Sequence, residues 1–267
     1  MTVFGSTKPV IAMIHVGALP GTPASRSSVR EIVAHAVAEA RIYRESGVHG
    51  IAIENMHDVP YLRGGVGPEV TAAMTAVALA VKDASALPCG IQILAGANHE
   101  ALAVAHSADL QFVRVEGYAF AHVADEGIIE SSAASLLRYH GAIGAERVHV
   151  WADVKKKHSA HAITADVGIG ETAAAVEFMR ADAVIVTGAT TGEEPSEAAI
   201  SAVRRSCRLP LLLGSGISTE NLGQFHHLAD GFIVGSSFKR DGRWSEPVDP
   251  RRVERFMRAH AALRPGA

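Results

Sequence analysis

Short apolar runs and amphipathic stretches alternate along this chain from one end to the other. Runs of aliphatic and β-branched residues fall at 10–15, 50–54, 90–94, 111–116, 148–153, 183–187, 211–213 and 231–234. They are almost uninterrupted in hydrophobicity, the pattern of parallel strands covered on both faces. Between them, Ala-rich stretches at 29–46, 68–85, 99–107, 131–144, 170–180, 196–206, 219–228 and 250–263 carry helical spacing. Pro68 and Pro250 suit first-turn positions, and Ser196 and Thr219 suit capped starts. Eight strands alternating with eight helices account for the whole chain. The predicted fold is therefore α/β, a single (β/α)8 TIM barrel over residues 1–267. A doubly wound sheet would have fewer strands and a phosphate loop after its first strand. Here the first run leads into Gly17-Ala18-Leu19-Pro20-Gly21, which lacks the three-glycine spacing.

Composition narrows the partners. Of 267 residues, 48% are hydrophobic and 20% charged, with a formal net charge of −3. No basic stripe marks a nucleic-acid surface, and Lys155-Lys156-Lys157 is too short to neutralise many phosphates. No window is apolar enough to span a bilayer. Met1-Thr2-Val3-Phe4-Gly5 lacks the features of a signal peptide. A soluble, cytoplasmic homo-oligomer is expected, with peripheral membrane contact left open. Cys89 and Cys207 adjoin predicted strands and are expected to be buried, reduced thiols.

The glycine-rich turns follow the last two strands, where phosphate-binding barrels carry theirs. The seventh run ends in Leu213-Gly214-Ser215-Gly216-Ile217-Ser218, the eighth in Val234-Gly235-Ser236-Ser237-Phe238-Lys239. Glycine lets backbone approach an anion and aim N–H groups at it, and Ser215 and Ser236 can add hydroxyl donors. One such turn is explained equally well as a tight strand–helix connection. Two at adjacent strands favour a phosphate corner of Gly214, Ser215, Gly216, Gly235 and Ser236. Lys239 either assists it or is an ordinary surface lysine.

Barrel strands are mostly Val, Ile and Leu, so polar residues at their C-terminal ends carry information. His15, Glu54, Asn55, Asp58, Arg114, Glu116, Asp153, Lys155, His158 and Thr187 all fall there. Residues two apart on a strand share a face, so Asp153 is expected to face the mouth with Lys155, and Arg114 with Glu116. Asp153 beside Lys155 would keep the lysine charged, fit to polarise a carbonyl. An ion pair closing the barrel mouth explains the same residues. The candidate catalytic set is His15, Glu54, Asp153, Lys155 and His158. Asn55, Asp58, Arg114, Glu116 and Thr187 are expected to bind substrate with the glycine corner. No cofactor is required. A divalent metal on His15, Glu54 and His158 is the alternative, although no tight ligand motif such as His-Glu-x-x-His is present. His57, His122 and His161 fall in loops at the same end, and Trp151 and Trp244 are expected to pack.

Several segments together resemble the BtpA (BtpA/SgcQ) family. They are Met13-Ile14-His15-Val16-Gly17-Ala18-Leu19-Pro20-Gly21, Glu54-Asn55-Met56-His57-Asp58-Val59-Pro60, Gly67-Pro68-Glu69, Asp125-Glu126-Gly127-Ile128-Ile129-Glu130, Ala152-Asp153-Val154-Lys155 with His158, Val186-Thr187-Gly188 with Thr191-Gly192, and Gly231-Phe232-Ile233-Val234-Gly235-Ser236. The tail Asp241-Gly242, Pro247-Val248-Asp249 fits as well. Two stretches depart from the family pattern. Ala95-Gly96-Ala97-Asn98-His99-Glu100 stands where a Leu-Arg-Asn-Asp-like segment is usual, and Val115-Glu116-Gly117-Tyr118 where Val-Asn-Val is expected. Both sit at the mouth and point to a different substrate or altered chemistry. The resemblance implies a phosphate-binding TIM barrel, with a role either in photosystem I biogenesis at a membrane or in carbohydrate utilisation. The residues themselves favour proton-transfer chemistry, isomerisation or epimerisation, on a small phosphorylated metabolite such as a sugar phosphate or phosphoribosyl compound. A non-catalytic assembly factor, a metal-dependent lyase or hydrolase, and a ligand sensor are the alternatives.

Overall fold

The computed structural model describes residues 4–188 and 192–263. Eight parallel strands close into a barrel: β1 (Val10–His15), β2 (Gly50–Glu54), β3 (Cys89–Gln92), β4 (Phe112–Val115), β7 (His149–Asp153), β9 (Ala183–Thr187), β10 (Leu211–Gly214) and β11 (Gly231–Val234). β11 pairs with β1 to complete the ring, Val10 opposite Phe232 and Ala12 opposite Val234. The remaining strands, β5 (His122–Ala124), β6 (Gly127–Ile129) and β8 (Ser159–Ala160), form a small antiparallel sheet in the order β6-β5-β8. It is built from the loops after β4 and β7, and nothing in the hydrophobic pattern announces it.

The helices follow the predicted order: α1 (Val29–Glu45), α2 (Pro68–Ser85), α3 (Asn98–Ser107), α4 (Ala133–Ala142), α5 (Ile169–Phe178), α6 (Glu197–Ser206), α7 (Leu222–Phe225) and α8 (Pro250–Ala262). α1 starts at a capping box, in which Ser28 and Glu31 satisfy each other's backbone N–H groups. Ser196 caps α6 through the N–H of Ala199, and Pro68 and Pro250 sit in the first turns of α2 and α8. Thr219 caps nothing. α7 is a single turn that begins only at Leu222, because Asn221 spends its side chain on the preceding loop, accepting from the N–H of Ser218.

Two layers of core hold the barrel. The outer layer packs the helices against the outward faces of the strands. The inner one is filled from Phe4, Ile11, Met13, Ala52, Phe112, Trp151, Ala183, Ile185, Leu212 and Ile233. Phe112 and Trp151 stack at 3.8 Å between ring centroids, with Phe4 tilted against both. These aromatic rings need room, and Gly90 supplies it: a Cβ there would collide with the Phe112 ring. Trp151 therefore packs, as expected. Both cysteines are buried and free. Among the described residues no helix is long and apolar enough to cross a membrane.

The register sets the site. His15 lies opposite Glu54, Glu54 opposite Gln92, and Gly214 opposite Thr187. The strand ends thus gather at one rim, the C-terminal face of the barrel.

Candidate active site

Two groups of residues meet at that rim. The first is the pair of turns after β10 and β11. Ser215 and Gly216 both take positive φ, 71° and 68°. At Gly216 this conformation comes with close packing: a Cβ would collide with the Glu193 backbone, so a side chain is excluded on two grounds. Asn221 braces the turn by donating to the Gly216 carbonyl, and the Ser215 hydroxyl accepts from the N–H of Gly192. Gly235 faces His15, whose Nε2 would stand 3.3 Å from a Cβ placed there. Among the described residues, the N–H groups of Gly216, Ser236 and Ser237 have no protein acceptor. They belong to residues that border the same cavity, and N–H groups without a protein acceptor beside a concave surface suit an anion.

The second group is charged. Arg114 grips Asp153 with two hydrogen bonds, Nε to Oδ1 at 3.1 Å and Nη2 to Oδ2 at 3.0 Å, and both residues are buried. Burial works against the guanidinium charge, but Asp153 and Glu54 outweigh it and raise the Arg114 pKa. Burial pushes the Glu54 carboxyl above the usual carboxylate range, and Arg114 only partly opposes it. His15 is buried beside it, Nε2 standing 3.8 Å from Glu54 Oε2. The His15 Nδ1 lies 2.9 Å from the Trp244 carbonyl. A carbonyl only accepts, so Nδ1 carries the proton and Nε2 presents a lone pair toward the mouth. Burial, reinforced by the Lys239 charge, lowers the His15 pKa to about 3, so the ring is neutral at physiological pH. A neutral imidazole nitrogen next to a carboxyl that holds its proton more tightly than usual has the chemistry to exchange a proton with it.

One cavity of about 210 Å³ joins the two groups. Its lining includes His15, Glu54, Arg114 and Lys157 on one side and Ser215, Gly216, Gly235 and Ser236 on the other. Arg252 completes the rim and is anchored by its Nε on the Ser237 carbonyl.

Several sequence expectations need correction. Asp153 does not pair with Lys155. β7 ends at Asp153 and Lys155 takes φ 50°, so the strand alternation that would align them has stopped. Lys155 Nζ turns instead to the Thr164 carbonyl at 3.5 Å. Arg114 and Glu116 do not act as a pair either. Glu116 lies beyond the end of β4, buried against Lys156 at 3.1 Å, and its carboxyl is raised to about 7 by burial despite that lysine. Asn55 and Asp58 spend hydrogen bonds on each other and on the loops after β3 and β1. Asn55 accepts from the N–H of Leu94 and donates to Asp58, which also accepts from the N–H of Leu19. His158 is exposed at φ 54° and does not join His15 and Glu54. The proposed metal set of those three is not assembled, and among the described residues no group of three His, Cys, Asp or Glu is arranged to hold a metal ion. Lys239 reaches neither solvent nor the phosphate corner. It is buried, with both carboxylate oxygens of Glu39 accepting from its Nζ. Thr187 lines a neighbouring depression with Gly188 and Gly216. His122 and His161 lie 5.5 Å apart at the small sheet, and His57 packs on Trp244. Thr191 of the matched segments lies outside the described residues.

The BtpA family model matches residues 6–262 of the chain. The chain belongs to the BtpA family. A mitochondrial Caenorhabditis elegans protein, F13E9.13, is 44% identical over 96% of this chain and 94% of its own length. The photosystem I biogenesis protein BtpA of Synechocystis is 34% identical over 97% of this chain and 90% of its own. Among solved structures, a thiamine phosphate pyrophosphorylase from Pyrococcus furiosus superposes with a TM-score of 0.59 at 13% identity, over 97% of this chain and 98% of that one. The phosphoribosyl anthranilate isomerase of Thermus thermophilus gives 0.57 at 15%, over 96% and 100%. At such identities these likenesses establish the fold of this BtpA-family protein, a TIM barrel, and nothing finer.

Proposed function

We propose that this BtpA-family protein is an enzyme of a small phosphorylated metabolite, a sugar phosphate or phosphoribosyl compound. Its phosphate rests in the corner of Gly214–Gly216 and Gly235–Ser236, and proton-transfer chemistry, isomerisation or epimerisation, proceeds over His15 and Glu54. The observation that supports this best is the shared cavity: the residues whose N–H groups lack a protein acceptor line one space with His15 and Glu54. A phosphate held at the corner orients the rest of the molecule against the reacting groups, and such remote binding can be realised as rate. Glu54, a better base for being buried, removes a proton from carbon next to a carbonyl. Arg114 places positive charge where the resulting enediolate develops, a contribution of about 3–4 kcal/mol for a well-placed donor. His15 Nε2 accepts the hydroxyl proton or relays it to Glu54. The thiamine phosphate and phosphoribosyl enzymes named above carry phosphate in the names of their compounds, which agrees with this reading without deciding it.

The test is a thermal-shift panel of pentose and hexose phosphates, followed by NMR in D2O. A ligand that binds should exchange its carbon-bound proton for deuterium, and Glu54→Gln should stop the exchange. If no phosphorylated compound stabilises the wild type, the reading fails. A second reading, a membrane-complex assembly factor, draws on the name of the Synechocystis relative and on exposed Val59, Leu62, Val123, Ile128 and Ile163. Co-sedimentation with anionic vesicles at physiological salt separates the two: retention in the supernatant favours the enzyme.

A further inference from the structure

The chain has six lysines, and their surroundings set one apart. Lys8 donates to the His226 and Ala229 carbonyls, Lys82 to Asp109, Lys155 to the Thr164 carbonyl, and Lys239 to Glu39. Lys156 is paired with Glu116 and Glu126. Lys157 reaches the cavity wall beside Glu54 and Arg114, and no described residue offers its Nζ a hydrogen bond or an ion pair within 4.0 Å. A half-buried amine without a partner among the described residues, in a cavity that also holds His15 and Glu54, has the setting of a nucleophile rather than of a structural cation. Resting on the function proposed above, we propose that Lys157 forms an imine with the carbonyl carbon of a phosphorylated ketone or aldehyde whose phosphate occupies the corner of Gly216, Gly235 and Ser236.

The steps balance without any further reactant. Neutral Nζ adds to the carbonyl carbon while the carbonyl oxygen takes a proton from Glu54, and the nitrogen, now positively charged, returns one of its protons to the Glu54 carboxylate, leaving a neutral carbinolamine. The nitrogen lone pair then forms C=N as Glu54 gives that proton to the hydroxyl, which leaves as water, so that Glu54 ends as a carboxylate. The cationic imine draws electrons from the neighbouring carbon, whose proton passes to Glu54 or to His15 Nε2, leaving an enamine. Return of a proton to carbon, followed by attack of water on the imine, frees product and Lys157. The amine must be unprotonated to begin. Burial first, and the Arg114 charge second, lower the Lys157 pKa, while Glu54, Asp153 and Glu116 pull the other way. Lys155, the neighbour two residues earlier, is excluded from this role because its Nζ faces the Thr164 carbonyl instead.

The experiment is reductive trapping on the full chain. Protein is incubated with dihydroxyacetone phosphate and sodium borohydride, and intact mass and peptide maps are recorded. The expected adduct has the mass of the carbonyl compound less one oxygen and maps to Lys157. It should be absent from Lys157→Met and Lys157→Arg, retained in Lys155→Met, and slowed by excess inorganic phosphate. Unphosphorylated dihydroxyacetone should label about tenfold more slowly, having lost its anchor. Both Lys157 variants should keep the wild-type melting temperature and phosphate stabilisation, which shows that they fold. No adduct, or label spread over Lys82 and other surface amines and unchanged in Lys157→Met, overturns the imine. If phosphate still stabilises the protein in that case, the phosphate reading stands alone. If Lys157 is labelled but phosphate neither competes nor stabilises, the imine stands and the phosphate corner falls.

Discussion

The two halves of the barrel mouth are made of different materials. The corner after β10 and β11 is backbone: glycines, positive φ angles, and N–H groups held by a braced turn. The rest of the mouth, at the ends of β1, β2, β4 and β7, is side-chain charge: Arg114 on Asp153, Glu116 on Lys156, and Glu54 beside His15. A backbone site has no side chain to lose, so it is disabled by adding atoms. A charged site is disabled by removing one partner, and the remaining buried charge then works against the fold. The corner is therefore suited to fixed recognition, and the charged half to titration and catalysis. Stability is at stake chiefly in the charged half.

Substitutions can break this contrast, and the largest effect belongs to the buried pair. Asp153→Ala should destabilise the protein by about 3–5 kcal/mol in urea unfolding, because Arg114 is left charged and unpartnered. The double replacement Arg114→Met with Asp153→Leu should recover most of that loss. If the single variant unfolds like wild type, the pair is not the buried, desolvated one described here. Next comes the corner. Gly235→Asp should leave folding largely intact but abolish stabilisation by phosphate, which for wild type at one hundred times Kd amounts to about 2.7 kcal/mol. Retained stabilisation in a folded variant would move the anion elsewhere.

Acid titration sharpens the contrast further. His15 is buried with a pKa lowered to about 3, whereas the unfolded ring titrates near about 6.5. The unfolded state therefore takes up the proton first as pH falls. The contribution of neutral His15 is complete above about pH 6.5 and declines toward pH 3. Glu116 has the opposite sign: with a folded pKa raised to about 7, it favours the folded state at low pH and loses that contribution as pH rises to about 7. His15→Gln should flatten the acid side of the stability profile, and Glu116→Gln the stretch from about pH 4.3 up to 7. An unchanged profile in either variant contradicts the assigned burial. The smallest effects are expected at Ser215 and Lys155. Ser215→Ala removes the acceptor for the Gly192 N–H and should cost about 0.5–1.5 kcal/mol. Lys155→Met should change stability by less than about 0.5 kcal/mol and leave phosphate binding untouched.

The same contrast explains how much could be read in advance. The eightfold alternation was legible because burial on both faces makes each barrel strand a continuous apolar run, and ends such as Val10 to His15 and Gly231 to Val234 coincide with the pattern. The corner was legible because glycine at Gly216 and Gly235 has a backbone reason that shows in the residue type itself. His15 and Glu54 were legible as polar ends of apolar runs, and the register puts them opposite each other. The charged half was harder. Its pairs join different strands, Arg114 to Asp153 and Lys156 to Glu116, and period-two alternation predicts only neighbours on one strand. It also fails where a strand stops, which is why it aligns Lys155 with Asp153 although the Lys155 chain turns to the Thr164 carbonyl. Lys239 and Glu39 are 200 positions apart, and no local pattern reports such a pair. Asn221 and the sheet of β5, β6 and β8 were missed for a similar reason, since loops order themselves through contacts that periodicity does not encode.

The central claim is that the backbone corner binds the phosphate of a substrate whose reacting end lies over His15 and Glu54. Amide NMR of the full chain, titrated with inorganic phosphate, tests it most directly. The account predicts saturable shifts at the N–H groups of Gly216, Ser236 and Ser237, with the His15 side chain responding and the amides of the small sheet around His122 unmoved. Shifts that leave the three corner amides in place, or that scatter over surface arginines without saturation, would contradict it.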